Sequence, residues 1–151
     1  MTSSWELLAR IGLGFGLAFV VGFERELRGS PAGDRTFALI GAATAAGTAV
    51  LFQHSPQAVA GVITGIGFIG AGVVVHGENT FVRGITTASA IFATAAIGVV
   101  VGTGHLLTGT VTAAGVLVVL ELRNIPGVRH LDARRYSERF RDDNAPPSAL
   151  S

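Results

Sequence analysis

The stretch from Thr36 to Gly77, TFALIGAATAAGTAVLFQHSPQAVAGVITGIGFIGAGVVVHG, holds no Asp, Glu, Lys or Arg. It is too long for one membrane span of roughly 20 residues. It breaks naturally at Gln53-His54-Ser55-Pro56-Gln57. A second uncharged run, Gly84 to Leu120, breaks at Gly102-Thr103-Gly104-His105. A third apolar run, about residues 7–23, is interrupted only by Arg10. The spacing predicts five transmembrane helices at about 5–23, 36–52, 57–75, 84–101 and 104–121. Short connections favour antiparallel neighbours in a compact bundle. Uninterrupted apolar runs, without polar alternation, point to helices rather than barrel strands.

Composition agrees. Of the 151 residues, 49% are hydrophobic and 14% charged, against about 25% charged in soluble domains. Mean hydropathy is +0.55. Cys is absent, so disulfides and thiolate metal sites are excluded. Net charge is +1, which implies no nucleic-acid partner. Every fixed side-chain cation is Arg. Ten of the eleven lie in the first loop, the third loop or the tail, and only Arg10 lies on the other side. The positive-inside rule then places the N-terminus outside and the C-terminus in the cytoplasm. The first segment starts without basic residues and shows no small-residue cleavage site, so it is expected to stay as a span. The expected fold is an all-α, polytopic membrane protein. Residues 1–122 form the transmembrane domain and 123–151 a short basic cytoplasmic tail, ending in disorder.

The polar residues gather at one membrane face. Glu24 and Arg28 stand at i,i+4 in the favourable order. Arg25, Asp34, Arg35, Glu78 and Arg83 fall at the same interface. This cluster reads either as a salt-bridge ring fixing helix ends or as a gate at the cytoplasmic mouth. Glu24, Asp34 and Glu78 supply the oxygen ligands that Mg²⁺ uses, but the neighbouring Arg residues would repel it. No resident cofactor is expected. Arg10 is expected to anchor its helix by pairing with Glu6, one turn back. Thr86 and Thr87 are placed to cap the fourth helix. Thr44, Thr48, Thr64 and Thr94 are expected to bond their own helix backbone or a neighbour, and a water-lined route would use the same residues.

Gly65-Ile66-Gly67-Phe68-Ile69-Gly70 spells G-x-G-x-x-G, yet it lies inside a span without the βαβ context of a dinucleotide site. Gly65, Gly67, Gly70 and Gly72 instead suit close helix packing, or an unwound stretch lining a pore. Small-xxx-small spacing also occurs at Gly12/Gly16, Gly61/Gly65, Gly67/Ala71 and Gly98/Gly102. No nucleophile or metalloprotease motif supports an enzyme.

Three blocks in register resemble the MgtC/SapB family of bacterial inner-membrane proteins. They are Gly22-Phe23-Glu24-Arg25-Glu26 through Gly33-Asp34-Arg35-Thr36, then residues 65–72 (GIGFIGAG), then Val82-Arg83-Gly84-Ile85-Thr86-Thr87-Ala88-Ser89. The resemblance implies five spans and a plasma-membrane location. It also implies a link to growth at low Mg²⁺, either as an Mg²⁺ transporter or as a regulator acting on a membrane partner such as the ATP synthase. A homo-oligomer, most simply a dimer, is expected.

Overall fold

The computed structural model describes residues 3–52, 54–76 and 82–122. It divides into two compact units, 1–117 and 118–151. Five α-helices follow one another: α1 (Ser4–Leu27), α2 (Asp34–Leu51), α3 (Gln57–Val73), α4 (Ile85–Gly102) and α5 (Leu106–Glu121). Two helices, α1 and α4, are long and apolar enough to cross a membrane, and α3 and α5 are shorter apolar helices. The expected tail (123–151) and Glu78 lie outside the described residues.

The clearest differences from expectation are at the end of α1 and in the third connection, where α3 stops at Val73 instead of 75. α1 runs on to Leu27, past Phe23, because Glu24 and Arg25 neutralise one another and are buried together on the helix. The third connection is not wholly irregular. Its ends form a short antiparallel ladder, β1 (Val75–His76) with β2 (Val82–Arg83).

Helix ends follow local chemistry. Ser3 caps α1 by accepting from the Glu6 N–H. α1 ends in a left-handed Gly29 (φ 67°), where Ser30 N–H reaches back to the Arg25 carbonyl and Gly29 N–H to that of Glu26. Gly104 (φ 98°) closes α4 the same way, with His105 N–H on Val100 and Gly104 N–H on Val101. Only glycine takes that conformation at little cost, and the two bonds satisfy carbonyls that a helix end leaves open.

α1, α2 and α4 pack directly on one another, and α3 lies chiefly against α4. The seams are built from small residues. Along the antiparallel α1/α2 seam, Gly14 faces Ala45, Gly41 faces Ala18 and Gly22 faces Phe37. On the α2/α4 seam, Gly98 lies on Thr44 and Gly41, and Gly102 on Ala45 and Thr48. Residue numbers rise together there, so α2 and α4 run parallel. α5 seats Gly109 against Val101, and Ala113 joins Ile97 and Val101 in a buried cluster flanked by Leu13 and Leu17. The expected Gly98/Gly102 pair is thus a packing face. Gly12 and Gly16 are not, since nothing lies within 4 Å of a Cβ built there.

The exterior carries many bulky apolar side chains. Phe15, Phe19 and Phe23 form an outward ladder on α1, with successive ring centroids 6.3 Å apart. Leu107 and Phe68 are each 78% exposed, whereas the interior is rich in Ala and holds buried Thr44, Thr48, Thr87 and Thr94. An apolar exterior of this extent is a liability in water and suits hydrocarbon.

Arg10 fastens the end of α1 remote from Glu24. It pairs with Glu6, as expected, and also donates to the Gly102 carbonyl at 3.0 Å. That carbonyl belongs to the negative end of α4, where a cation is favoured. Arg10→Gln is expected to destabilise the fold by about 1 kcal/mol, read as a lower midpoint of thermal unfolding in detergent.

Candidate functional site

The polar residues at the opposite end fall into two groups. The first is buried. Arg25 Nη2 donates to Glu24 Oε1 at 2.7 Å, and Arg25 Nε donates to Glu24 Oε2. Arg28 Nε stands 3.4 Å from Glu24 Oε1, which is the expected i,i+4 pair. The side chains of Glu24 and Arg25 are 9% and 10% exposed. Their charges are therefore compensated almost wholly within the protein. Close by in sequence, Ser30 Oγ meets Thr87 Oγ1 at 2.9 Å, tying the α1–α2 loop to the start of α4.

The second group is exposed to solvent on one side. Glu26, Gly33, Asp34, Arg35 and Thr36 line a polar depression of about 370 Å³. Glu26 Oε2 accepts from the Asp34 N–H at 3.3 Å, so a carboxylate sits at the positive end of α2. A side chain at position 33 would displace that carboxylate from its present place. Asp34 Oδ1 accepts from the Arg35 N–H at 2.6 Å. Glu26 was missed from the sequence as a site residue. Its signal is the short Gly29-Ser30-Pro31-Ala32-Gly33 turn, which folds position 26 back onto 34.

The two weak metal candidates thus have different partners. Glu24 serves Arg25 and Arg28, and Asp34 serves the backbone of α2. Among the described residues, no three His, Cys, Asp or Glu side chains come together as a metal-binding group.

The threonines also divide. Thr86 and Thr87 do not cap α4. Gly84 holds the cap position (φ 88°) with no side-chain bond, because the chain enters α4 from β2 with Gly84 against the Val73 carbonyl. Thr87 is buried and turned to Ser30, while Thr86 is exposed. Thr44 and Thr64 bond their own helices, to Ile40 at 2.8 Å and Ala60 at 2.9 Å, as expected. The Thr48 and Thr94 hydroxyls are buried with no hydrogen-bond partner among the described residues.

α3 is an unbroken helix through residues 65–70. Gly65, Gly67 and Gly72 have nothing within 4 Å of a Cβ, and Gly70 has only the ordinary contact of Ala88 at 3.8 Å. Of the whole helix only Ile66 is fully buried. Arg83 is exposed at the end of β2.

Comparison with known proteins bears on what this arrangement is. No solved structure matches. An uncharacterized protein of Haemophilus influenzae is 34% identical, over 88% of this chain and 61% of its own length. An Escherichia coli K12 protein named "Putative magnesium transporter YhiD" is 37% identical, over 78% of this chain and 60% of its own. Protein SapB of Bacillus subtilis is 29% identical, over 80% of this chain and 60% of its own. The chain therefore spans about three-fifths of the length of these relatives. The profile of the MgtC family matches residues 11–126, which takes in all five helices but the start of α1. With most of its length matched, this chain is a membrane protein that belongs to the MgtC family.

Proposed function

We propose that the chain acts in Mg²⁺ homeostasis as a non-enzymatic regulator, through helix–helix contact with a second copy of itself or with another membrane protein. The ATP synthase is one such candidate partner. In this reading all five helices span the bacterial plasma (inner) membrane, with the N-terminus outside and the C-terminus cytoplasmic. At 17 and 16 residues, α3 and α5 are about 25 Å long, close to the hydrocarbon thickness of about 30 Å.

The observation that carries the proposal is the outer face of α3. Gly61, Gly65, Phe68 and Gly72 recur at helical spacing, and all are exposed. In lipid there is no hydrophobic drive for helices to associate, so small residues that admit a close backbone do that work. Elsewhere in this protein the same kind of face is already in use, as at Gly14, Gly41 and Gly98. Gly65→Leu and Gly72→Leu place bulk where the monomer has open space. Both variants are expected to keep helix content and to shift the protein from dimer to monomer in light scattering and in-membrane cross-linking. Unchanged association in both would refute the proposed contact.

Transport of Mg²⁺ is the second reading. It is favoured by the polar depression where Glu26 and Asp34 come together, and by the printed name of the Escherichia coli relative. Its test is Mg²⁺ flux into proteoliposomes, with Glu26→Gln/Asp34→Asn as the control. Flux that this double variant loses would favour transport. No flux above empty liposomes, from inserted and folded protein, would favour the regulator.

A further inference from the structure

The space between α3 and α4 runs toward the chain segment that carries the exposed Arg83. Ile66, Gly67, Gly70 and Val74 on one side, with Ala88 and Phe92 on the other, line an open groove of about 430 Å³. It exists because no side chain fills it. Gly70 and Ala88 both line it, a Cβ added at Gly70 would just reach Ala88 at 3.8 Å, and one at Gly67 would meet nothing within 4 Å. The lining is apolar apart from Ser89, whose hydroxyl is satisfied by the Ile85 carbonyl at 2.9 Å.

The mouth of the groove has different chemistry. Val75, next to Val74, pairs with Arg83 in the β1–β2 ladder, which brings Arg83 to that end. Arg83 is exposed and forms no ion pair with the described residues. α4 begins beside it at Gly84, without a side-chain cap, and its first intrahelical bond is Ala88 N–H to the Gly84 carbonyl. The N–H groups of Ile85, Thr86 and Thr87 therefore have no acceptor within the helix. An uncapped helix start beside a guanidinium is suited to a phosphate.

We propose that this groove binds an anionic phospholipid, with an acyl chain between α3 and α4 and the phosphate between Arg83 and the start of α4. Both halves of the ligand are called for by the same place: hydrocarbon along the groove, an anion at its mouth. A free phosphate would leave the apolar part empty.

Native mass spectrometry of the full chain in mild detergent tests this, with phosphatidylglycerol and phosphatidylcholine of identical chains at equal concentration. The wild type is expected to retain phosphatidylglycerol about fivefold over phosphatidylcholine, the scale of one arginine's attraction to anionic lipid. Arg83→Gln should abolish the preference. Arg35→Gln removes an exposed charge outside the groove and should preserve it. Gly67→Leu adds bulk to the groove at a position whose Cβ meets nothing within 4 Å, and should reduce retention of both lipids. Circular dichroism checks the fold of each variant. Equal retention of the two lipids by the wild type would overturn the proposal, as would a preference that survives Arg83→Gln. If Gly67→Leu instead breaks a dimer and leaves lipid retention unchanged, the groove belongs to a second copy and the proposal falls.

Discussion

Replacing Gly41 with alanine should destabilise this protein more than alanine at any glycine of α3. One methyl group at position 41 collides with the Ala18 side chain and with the Gly14 carbonyl. Neither neighbour can move aside cheaply, since one is attached directly to the α1 backbone and the other belongs to it. The two helices must therefore separate, and Gly98 of α4 loses its seat on the Gly41 carbonyl, 2.9 Å from a Cβ at position 98. Overpacking of this kind typically costs about 1–3 kcal/mol. The upper part of that range is expected because two seams share the residue. Gly65→Ala is the matched control. It meets nothing within 4 Å, and alanine is the better helix former, so unchanged or slightly raised stability is expected. Unfolding by graded denaturing detergent, followed by circular dichroism, compares the two. Equal midpoints would mean that the α1/α2 seam tolerates expansion and that its small residues are not required.

The second large effect is expected at Glu24. Glu24→Gln keeps the shape of the side chain but leaves the Arg25 guanidinium, 10% exposed, without its counter-charge. Breaking a buried pair by neutralising one partner costs about 3–5 kcal/mol, several times the value of a surface pair. The partner test is Glu24→Gln/Arg25→Met. Removing both charges should restore much of the loss, because a buried pair replaced by apolar groups is often neutral. The same denaturation experiment reads it. A double variant no more stable than the single one would show that Arg25 stabilises the fold through contacts other than its ion pair. The pair also explains why Glu24→Ala is a poor probe of transport: lost function would report a damaged fold. Glu26 and Asp34 lie on an exposed depression and can be changed with less consequence for packing.

Charge spacing revealed the helices well, because an ionised side chain inside hydrocarbon is costly and so marks where apolar segments end. It misplaced the end of α1 because Glu24 and Arg25 violate that rule as a pair: adjacent opposite charges cancel, and the helix continues. The candidate cluster was legible as a set of residue types at one end, including the Glu24–Arg28 spacing. How it is partitioned was not. Whether Glu24 faces Arg25 or Asp34 depends on side-chain direction, and the contact between Glu26 and Asp34 depends on a turn whose path is set by Gly29. The glycines show the same limit. Small-xxx-small spacing occurs at Gly12/Gly16 and at Gly98/Gly102, and only the second pair meets another helix. Spacing defines a smooth stripe, and the neighbour is supplied by the rotation of the whole helix. The β1–β2 ladder left no signal, since two-residue strands are too short for an alternating pattern.

The parallel contact between α2 and α4 has a consequence for how this chain can change over evolutionary time. Two helices that run the same way and touch need a return path between them, and α3 is that path. Its length is therefore a geometric constant of the fold, even though its outer surface is not. Substitutions at an exposed position outside the proposed contact face, such as Ile69, can accumulate without disturbing the core. An inserted or deleted residue within α3 would turn every following position by about 100° and shift where α4 begins. Gly98 and Gly102 would no longer meet Thr44 and Ala45. Length variants are thus expected to be tolerated at the Ser55–Pro56 turn and purged from the helix between it and β1.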